Sequence, residues 1–299
     1  DYLEPLASHP LMAKGLRLNA RVEAVVRKDR SRIGSEGRSS APFEVVWQDQ
    51  SGARRRDTFR AVIDASGTWT HPNPLGLDGL PVDGERENAD RIAYGIPDVK
   101  GALRADYAGS KVLVVGAGHS AINTVLDLLE LQEEAPGTQV IWATRSGGIT
   151  RLLGGGLNDE LPGRGKLGLA AVAAINSGRL TMLSPFALRS IARTETGLDL
   201  RGDLDGQSTA LEVNRIVVAT GFRPDLAPLR ELRLALDPVV EAPIALAPLI
   251  DPNVHSCGSV RPHGAVELAH PEPDFYIIGS KSYGRAPTFL LATGYEQAR

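Results

Sequence analysis

Apolar and polar positions along the chain fall into two rhythms. Residues 111–115, Lys-Val-Leu-Val-Val, are an almost unbroken apolar run, the pattern of a strand buried on both faces. Behind it, Ile122, Val125, Leu126 and Leu129 recur at helical spacing, which predicts a helix over 120–131. Pro136-Gly137 breaks that helix, and 139–143 is a second apolar run. A strand, a helix and a strand within roughly thirty residues match the size of one Rossmann half.

The remaining runs are shorter. Residues 16–28 read as one or two strands with a turn, and 30–40, polar with two glycines, as an exposed loop. Residues 43–48 and 58–65 read as strands joined through the Ser51-Gly52 turn. Arg54, Arg55 and Arg56 read as a solvated strand edge rather than a ligand site. Residues 70–105, with many Pro and Gly and little periodicity, read as a linker. The stretch 145–168 reads as a glycine-rich loop. Its Gly163-x-Gly165-x-x-Gly168 match has no strand before it and Pro162 in front, so it is set aside. Further on, 167–176 reads as a helix, and 180–183 and 198–200 as strands. The segment 212–225 reads as a long buried strand ending in a Thr-Gly turn. Residues 275–278 form another strand closing at Gly279, and 288–299 starts a helix.

Composition narrows the function classes. The 299 residues are 42% hydrophobic and 23% charged, an ordinary globular balance for one large or two medium domains. Net charge is -3, and no basic stripe is interleaved with aromatics, so nothing favours nucleic acid. No apolar run approaches a bilayer span. A small-molecule substrate is the expected partner, and a homodimer the commonest assembly. Cys257 is the single cysteine, which excludes an internal disulfide or a dithiol redox pair and suits a reducing, cytoplasmic setting. The chain opens at Asp1 without a Met, so a fragment of a longer polypeptide is expected.

The turn after the first run supports two chemistries. As Gly116-x-Gly118-x-x-Ala121 it is a dinucleotide-binding turn. Gly116 permits the tight bend, Gly118 lets backbone approach a pyrophosphate, and Ala121 allows close helix–strand packing. His119 and Ser120 would lie on the phosphate side, at the positive end of the helix. As Gly118-His119-Ser120 it is nearly a nucleophile elbow. Ile122, however, stands where that motif needs its second glycine, and the later Asp225, His255 and His263 satisfy a triad order that most chains would meet by accident. The next strand ends in Thr144-Arg145 with no acid, and Arg151 follows. Guanidinium groups there fit a 2′-phosphate, so NADPH is expected over NADH.

Two further tags flank this unit: Asp-Ala-Ser-Gly-Thr at 64–68 and Val-Ala-Thr-Gly-Phe-Arg-Pro at 218–224. With 112–121 and the closing 275–299, they resemble, as an ordered set, the two-dinucleotide flavoprotein superfamily, its flavin-containing monooxygenase branch in particular. The resemblance implies an α/β, Rossmann-like, three-layer fold with an NADPH domain (106–221) inserted in an FAD domain (1–105 and 222–299). It implies FAD and NADPH as cofactors, hydride transfer from NADPH to flavin, and oxygenation of a small organic substrate. A flavin-dependent reductase or oxidase without oxygen insertion, and a dinucleotide-binding protein without turnover, are the alternatives. The family's N-terminal GxGxxG for FAD is absent, and a Phe-x-Gly-x-x-x-His stretch of the monooxygenases is replaced by 89–99. Cys257 alone departs from the dithiol branches.

By the same resemblance, the backbone of Val25 and Val26 would meet the adenine, and Ala65, Ser66 and Gly67 the pyrophosphate or the domain crossing. Ala219, Thr220 and Gly221 mark the return crossing. Gly279 and Ser280 match the family's late Gly-Asp motif, with Ser280 in place of the acid. Thr293 and Gly294 would open a helix whose positive end faces the flavin. His263, Glu267 and Lys281 are substrate-side candidates set against structural roles, and no convincing acid–base pair is found. His255, Cys257, His263 and His270 lack the tight pairing of zinc ligands, so no metal is expected.

Overall fold

The computed structural model describes residues 3–145, 162–255 and 260–299, with 162–166 by backbone alone. Contacts divide the chain into two compact units, Trp69–Arg223 and a discontinuous one made of Asp1–Thr68 and Pro224–Arg299.

Trp69–Arg223 is built on an all-parallel sheet. Its strands are β6 (Ile92–Tyr94), β7 (Lys111–Val115), β8 (Gln139–Ala143), β9 (Leu180–Leu183) and β13 (Arg215–Val218), in the order β6-β13-β7-β8-β9. Successive side chains on a strand point to opposite faces. Val112 and Val114 of β7 therefore pack with Val125 and Leu128 of the helix His119–Glu134, and with Ala171 and Ala174 of the helix Pro162–Asn176. Leu113 between them packs the other way, against Phe186, Leu188, Leu198 and Leu200. Those residues belong to an antiparallel meander, β10 (Phe186–Arg193), β11 (Leu198–Leu204) and β12 (Gln207–Val213). Helices, parallel sheet and meander make three layers, and each fully buried aliphatic side chain contributes about 1.5–3 kcal/mol relative to exposure.

Three expectations change here. Residues 70–105 are no linker: Ile92 is buried, β6 is an edge of the parallel sheet, and β5 (His71–Pro72) pairs with β14 (Phe222–Arg223). A three-residue strand between Pro/Gly turns is too short to show a period. The boundary of the unit accordingly falls after Thr68 rather than at 105. Residues 162–168 are helical rather than looped, since Pro162 occupies the first helical position, where no N–H is needed. The long strand expected at 212–225 is three pieces. β12 ends at Val213, Asn214 turns the chain while its Oδ1 accepts from the Lys111 amide at 2.7 Å, and β13 spans only Arg215–Val218 before β14.

The discontinuous unit has an antiparallel sheet of β1 (Arg21–Arg27), β2 (Phe43–Gln48) and β3 (Arg54–Phe59), and a parallel pair of β4 (Val62–Asp64) with β15 (Phe275–Ile277). The single strand expected at 58–65 is thus split between two sheets. Val25, Phe43, Leu229, Leu232, Phe275 and Ile277 form its apolar seam. Arg54, Arg55 and Arg56 are exposed and pair with Glu23, Asp49 and Glu44, as a solvated edge should.

A buried ionic triad underlies this seam. Glu272 accepts from Arg27 at 2.8 Å and Arg38 at 2.6 Å, with all three side chains at most 3% exposed. The Arg27 guanidinium lies 3.7 Å from the Phe43 ring centre. Arg38 donates to the Ser31 and Glu231 carbonyls, and Arg233 to those of Arg32, Ile33 and Gly34. The polar loop at 30–40 is therefore tethered through its backbone. Burial alone would raise the Glu272 carboxyl, but Arg38, the Arg233 amide and Arg27 outweigh it and hold the group below its ordinary value.

Candidate functional site

The turn at the end of β7 is shaped by its neighbours. Gly116 has φ +144°, and a Cβ there would sit 2.3 Å from the Ala219 carbonyl oxygen, so backbone alone fits. Its N–H donates to Ala143 at 3.1 Å, and its carbonyl accepts from the Trp142 indole at 2.7 Å. Gly118 is exposed, with open space where a Cβ would be. His119 opens the helix and is exposed, Ser120 is half-buried, and Ala121 is fully buried against the sheet. The N-cap residue is Gly118, which offers no side chain to cap this 16-residue helix. A helix start whose N-cap is a glycine with room above it fits a pyrophosphate.

The same geometry removes the elbow reading. An elbow needs its serine at the strained apex between strand and helix. Here the strained residue is Gly116, and Ser120 lies inside the first helical turn, with no hydrogen bond to a histidine among the described residues.

Around the turn, Ala219 is buried and its N–H donates to Val115 at 2.8 Å. The Thr220 hydroxyl donates to the Asn73 carbonyl at 2.8 Å. The Asn73 amide donates to Gly221 at 2.9 Å, its side chain to Thr220 at 3.0 Å, and its Oδ1 accepts from Arg223 at 2.8 Å. Asn73 thus staples the whole tag. Sequence reasoning missed it inside the supposed linker, where the Asn73-Pro74 pair was the available signal. Thr144 differs from expectation. It is buried, and its hydroxyl donates to Ser184 at 2.8 Å, which ties β8 to the connection between β9 and β10. Arg145 is exposed at the carboxyl end of β8, beside the carboxyl end of β7, where open α/β sheets bind ligands. Arg151 lies outside the described residues.

In the other unit, the Lys281 ammonium is buried and donates to Asp64 at 2.7 Å and to the Ser66 hydroxyl at 3.1 Å. Asp64 also accepts from the Ser66 amide. Lys281 therefore clamps the first tag to the last one. Ala65 and Ser66 are exposed, and Gly67, half-buried, has φ +71°. The Gly279 N–H donates to the Gln297 side chain at 2.7 Å, and Ser280 is half-buried. Gln297 donates in turn to Ser282 at 2.8 Å and to His263 Nε2 at 2.9 Å. His263 Nδ1 faces the Arg261 carbonyl at 3.0 Å, so Nδ1 carries the hydrogen and Nε2 accepts. Glu267 accepts from the Gly264 amide at 2.9 Å, a bond that leads in holding its carboxyl below the ordinary value. His263, Glu267 and Lys281 are thus all committed to holding loops.

The Val25 side chain is core, Val26 is half-buried, and β1 is an edge strand of its sheet. Thr293 and Gly294 do not open a helix. It begins at Leu291, and both their amides donate to the Leu290 carbonyl. Among the described residues, no three His, Cys, Asp or Glu side chains form a metal cluster, and no helix is long and apolar enough to cross a membrane. Cys257 lies outside the described residues.

No family model matches the sequence. A ferredoxin–NADP reductase of Thermus thermophilus is 27% identical over 210 residues, 68% of this chain and 54% of the relative. One of Gluconacetobacter diazotrophicus is 29% identical over 188 residues, 60% of this chain and 46% of the relative. The chain thus spans about half the length of the curated relatives it matches. Among solved structures, the bacillithiol disulfide reductase of Bacillus cereus superposes with a TM-score of 0.66 at 17% identity, covering 98% of this chain and 72% of that one. The ornithine hydroxylase of Pseudomonas aeruginosa gives 0.60 at 16% identity, covering 99% and 72%. The chain has the Rossmann-like fold of the FAD/NAD(P)-dependent two-dinucleotide oxidoreductase superfamily.

Proposed function

We propose that this chain serves an oxidoreductase in which NADPH, held by Trp69–Arg223, reduces FAD bound with the help of the discontinuous unit. The observation that carries the reading is the Gly116–Ala121 turn, with Arg145 where an NAD-binding strand would place an acid. The helix start and Gly118 receive the pyrophosphate, and Ala121 keeps the helix close to the sheet. Arg145 offers a planar fork to the 2′-phosphate. Ala65, Ser66, Gly67, Gly279 and Ser280 line the flavin side, held in register by Lys281 and Gln297. Bound FAD supplies the hydride acceptor and passes electrons onward.

The acceptor is the finer question. The curated relatives are named ferredoxin–NADP reductases, which favours electron transfer without oxygen insertion. Oxygenation of a small organic substrate is the second reading, favoured by the shared fold of the ornithine hydroxylase. The test is anaerobic titration of the natural gene product, followed by visible absorbance. Flavin bands that bleach with NADPH and much more slowly with NADH support the reading, and a protein that takes up no FAD sinks it. Admitting air then separates the two: a transient oxygenated flavin spectrum favours oxygenation, immediate reoxidation a reductase. A protein that binds NADPH without reacting would be a binding module only. Arg145→Ala should weaken NADPH binding about 10- to 100-fold, the worth of one charged hydrogen bond, and leave NADH unchanged.

A further inference from the structure

The indole of Trp142 has no place in the scheme above, yet it holds the dinucleotide turn directly. Trp142 is fully buried on β8, and its Nε1–H donates to the Gly116 carbonyl at 2.7 Å. Gly116 is the residue with φ +144°, and the cis peptide found elsewhere, Ser184-Pro185, does not involve it. In a planar trans peptide the C=O and the next N–H point in opposite directions. Fixing the Gly116 carbonyl against β8 therefore turns the Ala117 N–H away from the sheet, toward the exposed side, where Ala117 and Gly118 lie at the surface. A glycine has no side chain to restrict rotation of the peptide plane that follows it, so the Trp142 bond supplies a restraint the residue itself lacks.

We infer that Trp142 is a positioning residue for the pyrophosphate, setting the aim of the Ala117 amide, and through it the approach over Gly118, before the dinucleotide arrives. The inference rests on the NADPH reading and adds a mechanism to it: the cofactor meets donors already fixed, so less ordering is charged against binding. Trp142 touches no ligand and acts through the turn alone.

The experiment compares two ligands by calorimetry, with the 299-residue chain and its Trp142→Phe variant. One is 2′-phospho-ADP-ribose, which has the pyrophosphate. The other is adenosine 2′-phosphate, which lacks it. The expected result is a 2′-phospho-ADP-ribose dissociation constant about five- to tenfold weaker in the variant, the loss of one neutral hydrogen bond, with adenosine 2′-phosphate unchanged. A merely structural Trp142 would weaken both ligands alike or neither, and either outcome overturns the inference while leaving NADPH binding in place. A wild-type chain that binds neither ligand overturns the NADPH reading and this inference with it. Should Trp142→Phe not fold, the Trp142 indole proton resonance of the wild type gives the answer. It should exchange slowly and shift on adding 2′-phospho-ADP-ribose but not adenosine 2′-phosphate; an indole proton that exchanges freely and answers neither ligand overturns the inference.

Discussion

Gly116 is the residue with the least latitude. Gly116→Ala combines a positive φ with a Cβ 2.3 Å from a backbone oxygen, so it should cost about 1–3 kcal/mol and abolish dinucleotide binding. Thermal melts and calorimetry would show both effects. The Asp64–Lys281 pair behaves differently. Lys281→Leu alone leaves a half-buried carboxylate unpaired and should destabilise the fold by about 3–5 kcal/mol, while adding Asp64→Leu should recover much of that loss. Urea melts of the two variants distinguish a clamp from a charge needed for chemistry. Glu272 carries a pH dependence. Its carboxyl titrates lower in the fold than in the unfolded chain, so its stabilisation is complete above about pH 4.5 and is lost as pH falls through the folded value. The melting temperature should drop through that acid window, and Glu272→Gln should be weaker at neutral pH but lose part of the slope. At this scale the sequence reveals residues that act through their own backbone: Gly116, Gly118 and Ala121 stand at their spacing. It hides those that act through partners. Asn73, Trp142 and Gln297 reach residues 147, 26 and 18 positions away; the Asn73-Pro74 pair signals a turn, but no local pattern names the distant partner.

Elements show the same division. β7 and β8 lie where unbroken apolar runs place them, because both faces of a central parallel strand are covered. β6 escapes detection because three residues cannot display a period; β10 escapes it, and β11 shows only at 198–200, because a meander with one exposed face mixes polar and apolar positions. The signal for the last hairpin is present in Asp205-Gly206, whose φ values of 51° and 78° are those of a type I′ turn. Gly206→Val should therefore destabilise the meander by about 1–3 kcal/mol, read as early loss of protection in β11 and β12 by hydrogen exchange. The split of 58–65 into β3 and β4 could not be read locally, since β4 is defined by its pairing with β15, more than two hundred residues on.

Along the whole sequence, one continuous unit interrupts a divided one. Every strand of Trp69–Arg223 finds its partners within that stretch, and β5 with β14 closes its two ends together. The polypeptide 69–223 should accordingly fold alone and retain 2′-phospho-ADP-ribose binding, which circular dichroism and calorimetry would check. The divided unit has another history. On the ribosome, β4 emerges long before β15, and until Phe275–Ile277 is made, Val62–Asp64 lacks that partner and Lys281 is not there to meet Asp64. Synthesis therefore imposes an order: the inserted unit can be finished while the divided frame is still waiting for its second half. A slow codon or a missing chaperone late in translation would harm the frame and spare the insert.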